Sequence, residues 1–206
     1  MNSGKLFIAV AGNIGTGKTT VTQMLSKRFN WKAEFESVND NPYLEDFYKN
    51  MARWSFPLQV CFLTRRFQTH QIIFQGLHSS VQDRCIYEDA SIFTRNLYEQ
   101  GQMEERDYRN YLDLYENLCQ FLTPPDLIIY LRKSVPNLKK QILLRGRTYE
   151  KNISDHYLSG LNRYYDEWIE SYDLGKKLVI ESDSLNFLED PVAFQFLTQQ
   201  IIEALD

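Results

Sequence analysis

Short apolar runs alternate along this chain with longer stretches whose apolar residues return every three or four positions. The first run, Leu6-Phe7-Ile8-Ala9-Val10-Ala11, has the length of a buried strand, and Val21, Met24, Leu25 and Phe29 follow at helical spacing. Residues 31–38 predict a second short strand, ended by the turn-forming Asn39-Asp40-Asn41-Pro42. Tyr43, Leu44, Phe47, Tyr48 and Met51 predict a helix, and residues 56–75 predict a long one closed near Gly76. A strand over 80–84 finishes on Asp83-Arg84, and helices follow over about 88–100 and 104–121. The run at 126–131, rich in β-branched residues, predicts a buried strand. Ser134 and Pro136 open a helix to about residue 144, another covers 154–172, a last strand covers 177–180, and Asp190-Pro191 starts a final helix to about 204. Strands alternating with helices predict an α/β three-layer fold, a five-stranded parallel sheet flanked by helices on both faces. No composition shift marks a linker, so the expectation is one domain over residues 1–206.

Between the first strand and the first helix stands Gly12-Asn13-Ile14-Gly15-Thr16-Gly17-Lys18-Thr19, followed by Thr20. It fits the phosphate-loop pattern G-x-x-x-x-G-K-[ST], and strand, glycine loop, helix is the context that pattern requires. The glycines let backbone N–H groups turn toward phosphate oxygens at the positive end of the helix. Lys18 brings a charge to the outer phosphates, and the Thr19 hydroxyl can ligate Mg²⁺. A nucleoside triphosphate is the expected ligand. The loop alone leaves the acceptor open, since the fold hosts switches, motors and kinases alike.

Composition narrows the partners. Twenty-three Lys and Arg against 27 Asp and Glu leave a formal charge of −4, with no basic excess to neutralise a nucleic acid or an anionic membrane. No apolar segment has the length of a membrane span, and the start at Met1 carries no cleavable signal pattern. Cys61, Cys85 and Cys119 sit far apart among apolar neighbours and are expected to be reduced core residues of a cytoplasmic protein.

Four constellations bear on the acceptor. Glu36 ends the second strand, and ligands of parallel α/β sheets bind beyond the carboxyl ends of strands. A carboxylate there can take a proton from an attacking hydroxyl; a solvated loop glutamate is the plain alternative. Asp83 can hold Mg²⁺ and Arg84 a substrate oxygen, or the two form a surface ion pair. Arg145-Gly146-Arg147 suits a lid closing on phosphates, or merely complements a helix dipole. Tyr48, Gln59, Arg66 and Asp89, set among Phe62 and Phe93, offer the aromatic faces and hydrogen-bonding edge a nucleobase needs, although single aromatics usually belong to a core.

Taken together these residues resemble the deoxynucleoside kinase family, the group of deoxycytidine, deoxyguanosine and deoxyadenosine kinases, and in particular its bacterial purine-preferring branch. The resemblance covers nearly the whole chain. It rests on GNIGTGKT at 12–19, FESV at 35–38, NPYLEDFY at 41–48, FPLQ at 56–59, DRCIYED at 83–89, DLIIYLR at 126–132 and RGRTYE at 145–150. It implies a P-loop fold with an arginine-rich lid, ATP with Mg²⁺ as donor, and a deoxynucleoside acceptor, deoxyadenosine first. It further implies a homodimer packed through helices, including the one after Glu88, and feedback by an end-product triphosphate.

Residue by residue, the resemblance makes Glu36 the general base for the 5′-hydroxyl, with Ser37 where the family usually has proline. Arg84 matches the arginine at the 5′ region and transferring phosphate, with Cys85 replacing serine, and Asp83 matches the acid associated with Mg²⁺. Tyr48 and Glu150 match the pair on the sugar 3′-hydroxyl. Gln59 matches the amide on the base and Phe93 the ring stacked on it, with Leu44, Leu58 and Phe62 as walls. Arg66 and Asp89 match a pair found in the deoxycytidine and purine kinases. Arg145 and Arg147 match lid arginines, with Gln141 where a further basic residue often stands. Adenine contacts are expected near residues 182–190. The alternatives are a deoxycytidine, deoxyguanosine or broad-specificity kinase, a thymidylate-type monophosphate kinase, and a nucleotide sensor without catalysis.

Overall fold

The computed structural model describes residues 4–35, 41–150 and 152–206. Five strands, β1 (Phe7–Ala11), β2 (Lys32–Glu34), β3 (Ser80–Asp83), β4 (Leu127–Arg132) and β5 (Lys176–Glu181), form one sheet in the order β2-β3-β1-β4-β5. Every pairing is parallel. β1 is central because it can be: all five of its residues are buried, and alternate ones serve the two faces. Ile8 and Val10 point into a layer with Leu127, Ile129 and Leu131 of β4, packed against helix α1 (Lys18–Phe29) and the last helix. Ala9 and Ala11 point the other way with Ile128 and Tyr130, and their small side chains leave room for the bulky helices there.

That second face carries α2 (Leu44–Lys49), α3 (Met51–Gln75), α4 (Arg95–Glu99), α5 (Glu105–Cys119), α6 (Val135–Arg145) and α7 (Asp155–Ser171). Tyr165 of α7 stacks on Tyr130 of β4 at 5.3 Å between ring centres, which anchors that helix to the sheet. The chain closes with α8 (Pro191–Leu205) on the α1 side, its start capped by the Asp190 side chain on the Val192 N–H.

The strands and most helices stand where the hydrophobic pattern places them, with three corrections. The second strand stops at Glu34 rather than 38, with Phe35 half exposed and residues 36–40 outside the described residues. The long helix starts at Met51, not 56: the Asn50 side chain caps it by accepting from the Arg53 N–H, and Pro57 lies inside it. The helix expected over 88–100 is three pieces, a 3₁₀ turn at Ile86–Glu88, a π-helical stretch at Asp89–Thr94 and then α4. The wider π turn carries one extra residue and brings Asp89, Ala90, Ile92 and Phe93 all into the interior. Of the cysteines, Cys85 is buried as expected, while Cys61 and Cys119 are only partly so; all three are free thiols. Among the described residues no helix is long and apolar enough to cross a membrane.

Candidate active site

The parallel register sets the site. Val10 pairs with Asp83, so β1 and β3 end side by side, and the loop after β1 turns over the acid that ends β3. β1 lies between β3 and β4, where the chain leaves to opposite sides of the sheet, the place at which such sheets open a crevice. A cavity of about 360 Å³ lies there, lined by residues of the loop, α2, α3, β3, the π stretch and the turn after α6. Its size suits a small organic ligand.

At one end stand Ile14, Lys18 and Thr19. Gly17, with φ of 94°, turns the chain into α1, and Gly15 has φ of 87°. The other predicted loop residues, Gly12, Asn13, Thr16 and Thr20, shape the loop without lining the cavity. The Asn13 amide donates to the Leu158 carbonyl and to the Asn162 side chain of α7, which fixes the loop from behind. Lys18 is buried, and its ammonium donates to the Asn13 carbonyl at 2.8 Å. The Thr19 hydroxyl donates to Asp83 Oδ2 at 2.5 Å. The other oxygen of Asp83 is buried without a hydrogen-bond partner among the described residues. A hydroxyl and an under-used carboxylate beside a phosphate loop fit Mg²⁺, which takes few protein ligands and completes its shell with phosphate and water. Among the described residues no group of three or more His, Cys, Asp or Glu could hold a metal without such help.

At the other end Gln59 and Arg66 of α3 face the cavity, with Leu44, Leu58, Phe62 and Phe93 as apolar walls. Arg66 forms an ion pair with Asp89, which is fully buried behind it and does not reach the cavity itself. The guanidinium also lies over the Phe62 ring at 5.1 Å. Thr94 Oγ1 approaches Gln59 Oε1 at 3.5 Å. This end therefore combines an amide, aromatic faces and a charge pair that neutralises itself.

Between the two ends is Arg84, whose φ of 71° is left-handed. That conformation costs a non-glycine residue about 1–2 kcal/mol. The surrounding contacts hold it: the guanidinium donates to Tyr165 Oη at 2.6 Å and lies 4.5 Å over the Phe93 ring. Tyr48, Arg145, Arg147 and Glu150 close the remaining side. The Glu150 carboxylate, buried, accepts from both Arg145 and Arg147. Burial, then the neighbouring Tyr157 and Glu150, holds the Tyr48 phenol well above its usual range. The predicted sugar and lid residues thus meet at one carboxylate.

Glu36 lies outside the described residues. Residues 182–190, expected to touch adenine, do not line the cavity; the Ser182 carbonyl accepts from Lys133 and Asp183 from the Ser134 N–H at the start of α6. Sequence reasoning passed over Phe47 and Tyr157, which line the cavity, and Glu88 and Tyr165, which hold Arg84. Phe47 is visible as part of the NPYLEDFY pattern, whereas the tyrosines of α7 stand in no motif of the sequence.

A model of the family described as deoxynucleoside kinase matches residues 8–206. The deoxyadenosine/deoxycytidine kinase of Bacillus subtilis (strain 168) is 36% identical over 200 residues, 96% of this chain and 92% of that protein. The deoxyadenosine kinase of Dictyostelium discoideum is 44% identical over 163 residues, 79% of this chain and 66% of that one. A structure of the deoxyadenosine kinase from M. mycoides, with products dCMP and a flexible dCDP bound, superposes with a TM-score of 0.86 at 29% identity, covering 96% of this chain and 100% of that one. With its phosphate loop, its acid at the end of β3 and its cavity between them and α3, the chain belongs to the deoxynucleoside kinase family.

Proposed function

We propose that this protein transfers the γ-phosphoryl group of ATP to the 5′-hydroxyl of a deoxynucleoside, with a purine preference and deoxyadenosine first, as a step of nucleotide salvage. The observation that carries the reading is a single cavity with the phosphate loop at one end and Gln59 and Arg66 at the other. Lys18 and the backbone of residues 12–20 hold the donor phosphates. Thr19 and Asp83 would hold Mg²⁺, which supplies neutralisation of charge on the transferring group. Gln59 offers hydrogen bonds to the base edge, and Phe93 and Phe62 offer stacking faces. Arg84 sits between the two halves and steadies the oxygens in transit.

A neutral hydroxyl is a poor nucleophile, so a positioned base is needed, and Glu36 takes that role in this reading. Phosphoryl transfer itself needs mostly alignment and charge neutralisation. Tyr48 and Glu150 would take the sugar 3′-hydroxyl, and Arg145 and Arg147 would then turn from Glu150 to the phosphates. A monophosphate acceptor would call for surplus positive charge beside it, whereas Arg66 is already matched by Asp89. The chain acts in this reading as one cytoplasmic domain over residues 1–206 and as a homodimer.

A second reading, one enzyme accepting deoxycytidine as well, is favoured by the Bacillus subtilis relative, which is named for both activities. Turnover of the four deoxynucleosides with ATP and Mg²⁺ tests both. Fastest turnover of deoxyadenosine is expected. Equal rates with deoxycytidine select the second reading, and turnover of monophosphates alone, or of nothing, removes the proposal. In the same assay Glu36→Ala is expected to lower kcat far more than it raises nucleoside KM; an unchanged kcat takes Glu36 out of the base role.

A further inference from the structure

Glu88 is fully buried, carries a carboxylate, and has no role in the transfer as proposed. It ends the 3₁₀ turn that comes after Arg84. Its Oε1 accepts from the Cys85 N–H at 2.9 Å. Its Oε2 accepts from the Tyr165 hydroxyl at 2.6 Å, lies 3.5 Å from Arg84 Nη1, and lies 3.5 Å from the Gly12 N–H that begins the phosphate loop. Tyr165 in turn accepts from Arg84 Nη1. One carboxylate therefore touches the backbone beside Arg84, the tyrosine that grips Arg84, and the edge of the donor site.

We propose that Glu88 is a positioning residue for phosphoryl transfer, fixing the Arg84 guanidinium through Tyr165 and tying it to the phosphate loop. The proton directions call for an acceptor at this position. Arginine has only donors, so the Tyr165 oxygen must accept from Arg84 and its single proton must go to Glu88. The Cys85 N–H also needs an acceptor on Glu88. With the Gly12 N–H, three donors thus converge on the two oxygens of one side chain. A glutamine has one oxygen and one NH₂, so it can satisfy either Tyr165 or Cys85 but sets a donor against the other. Glutamine also removes a negative charge from beside the buried Arg84 guanidinium. A solvated helix face or an apolar core would need none of these constraints.

The inference rests on the reading of Arg84 as a group at the transferring phosphate, and the experiment separates the two. Steady-state kinetics with deoxyadenosine, ATP and Mg²⁺ are compared for wild type, Glu88→Gln, Tyr165→Phe, Arg84→Lys and the double variant Glu88→Gln/Arg84→Lys, each with its thermal midpoint. Glu88→Gln is expected to lower kcat by about tenfold or more while nucleoside KM stays within about threefold, since the lost orientation matters in transfer rather than in binding. Tyr165→Phe is expected to lose about three- to tenfold in kcat. The double variant is expected to be no slower than Arg84→Lys alone, because both changes disable the same group. A folded Glu88→Gln enzyme with kcat within twofold of wild type, or strictly multiplicative losses in the double variant, overturns the proposal. Should Glu88→Gln not fold, Tyr165→Phe decides, and wild-type kcat there overturns it equally. Wild-type kcat in Arg84→Lys removes the Arg84 reading and this proposal together; loss in Arg84→Lys alone removes only the positioning role.

Discussion

Among single residues, two glycines of the phosphate loop separate backbone freedom from space. Gly15 and Gly17 both have positive φ, which costs an L side chain about 1–2 kcal/mol. A Cβ on Gly17 would meet nothing within 4 Å among the described residues, whereas one on Gly15 would stand 2.8 Å from the Leu138 carbonyl oxygen of α6. Gly17→Ala is therefore expected to lose about 1–2 kcal/mol in denaturant unfolding, and Gly15→Ala clearly more, because helix backbone must move. Equal losses would mean that α6 gives way freely. This loop was legible because its chemistry is written in consecutive residues. Glu88 was not, because a glutamate in DRCIYED reads as one more charged position, and only folding shows that Tyr165, 77 residues later, needs its oxygen.

Helix α3 shows what can be read of an element and what cannot. Its apolar repeat was plain, yet its start was not. Pro57 invites placement in a first turn, and only the Asn50 cap shows that the helix begins earlier. The π stretch was illegible for a different reason: its extra residue is set by packing of Asp89, Ile92 and Phe93 into the interior, not by local preference. Near its far end α3 carries His70, buried, whose Nε2 lies 2.6 Å from the Thr123 carbonyl while Nδ1 has no partner among the described residues. With the carbonyl taking an Nε2 proton, the ring is neutral, and a second proton would be stranded. Burial accordingly pushes the His70 pKa below the usual 6.5, partly offset by the Thr123 carbonyl. The unfolded chain then binds more protons than the folded one between that lowered value and 6.5, so stability falls as pH drops through this window. Thermal midpoints between pH 7 and 5 should fall less steeply in His70→Gln than in wild type; parallel curves would show that His70 titrates alike in both states.

For the molecule as a whole, the sheet order joins the two ends of the cavity. Donor groups come from the loop after β1, α1 and β3, acceptor groups from α3 and the π stretch, so a filled site braces the sheet against its helical face. Deoxyadenosine at about 100 times its Kd should stabilise the fold by about 2.7 kcal/mol. At this chain length that raises Tm by roughly 5–10 °C. A midpoint that none of the four deoxynucleosides moves would count against the cavity as the acceptor site. The same arrangement makes the π stretch matter by its length more than by its side chains. Deleting one residue between Asp89 and Thr94 would leave an ordinary helix with sound local preferences, yet rotate one end of it against the other by about 100°. Phe93 would leave Arg84, or Asp89 would leave Arg66, so in this segment the number of residues is itself inherited information that a scan of substitutions never samples.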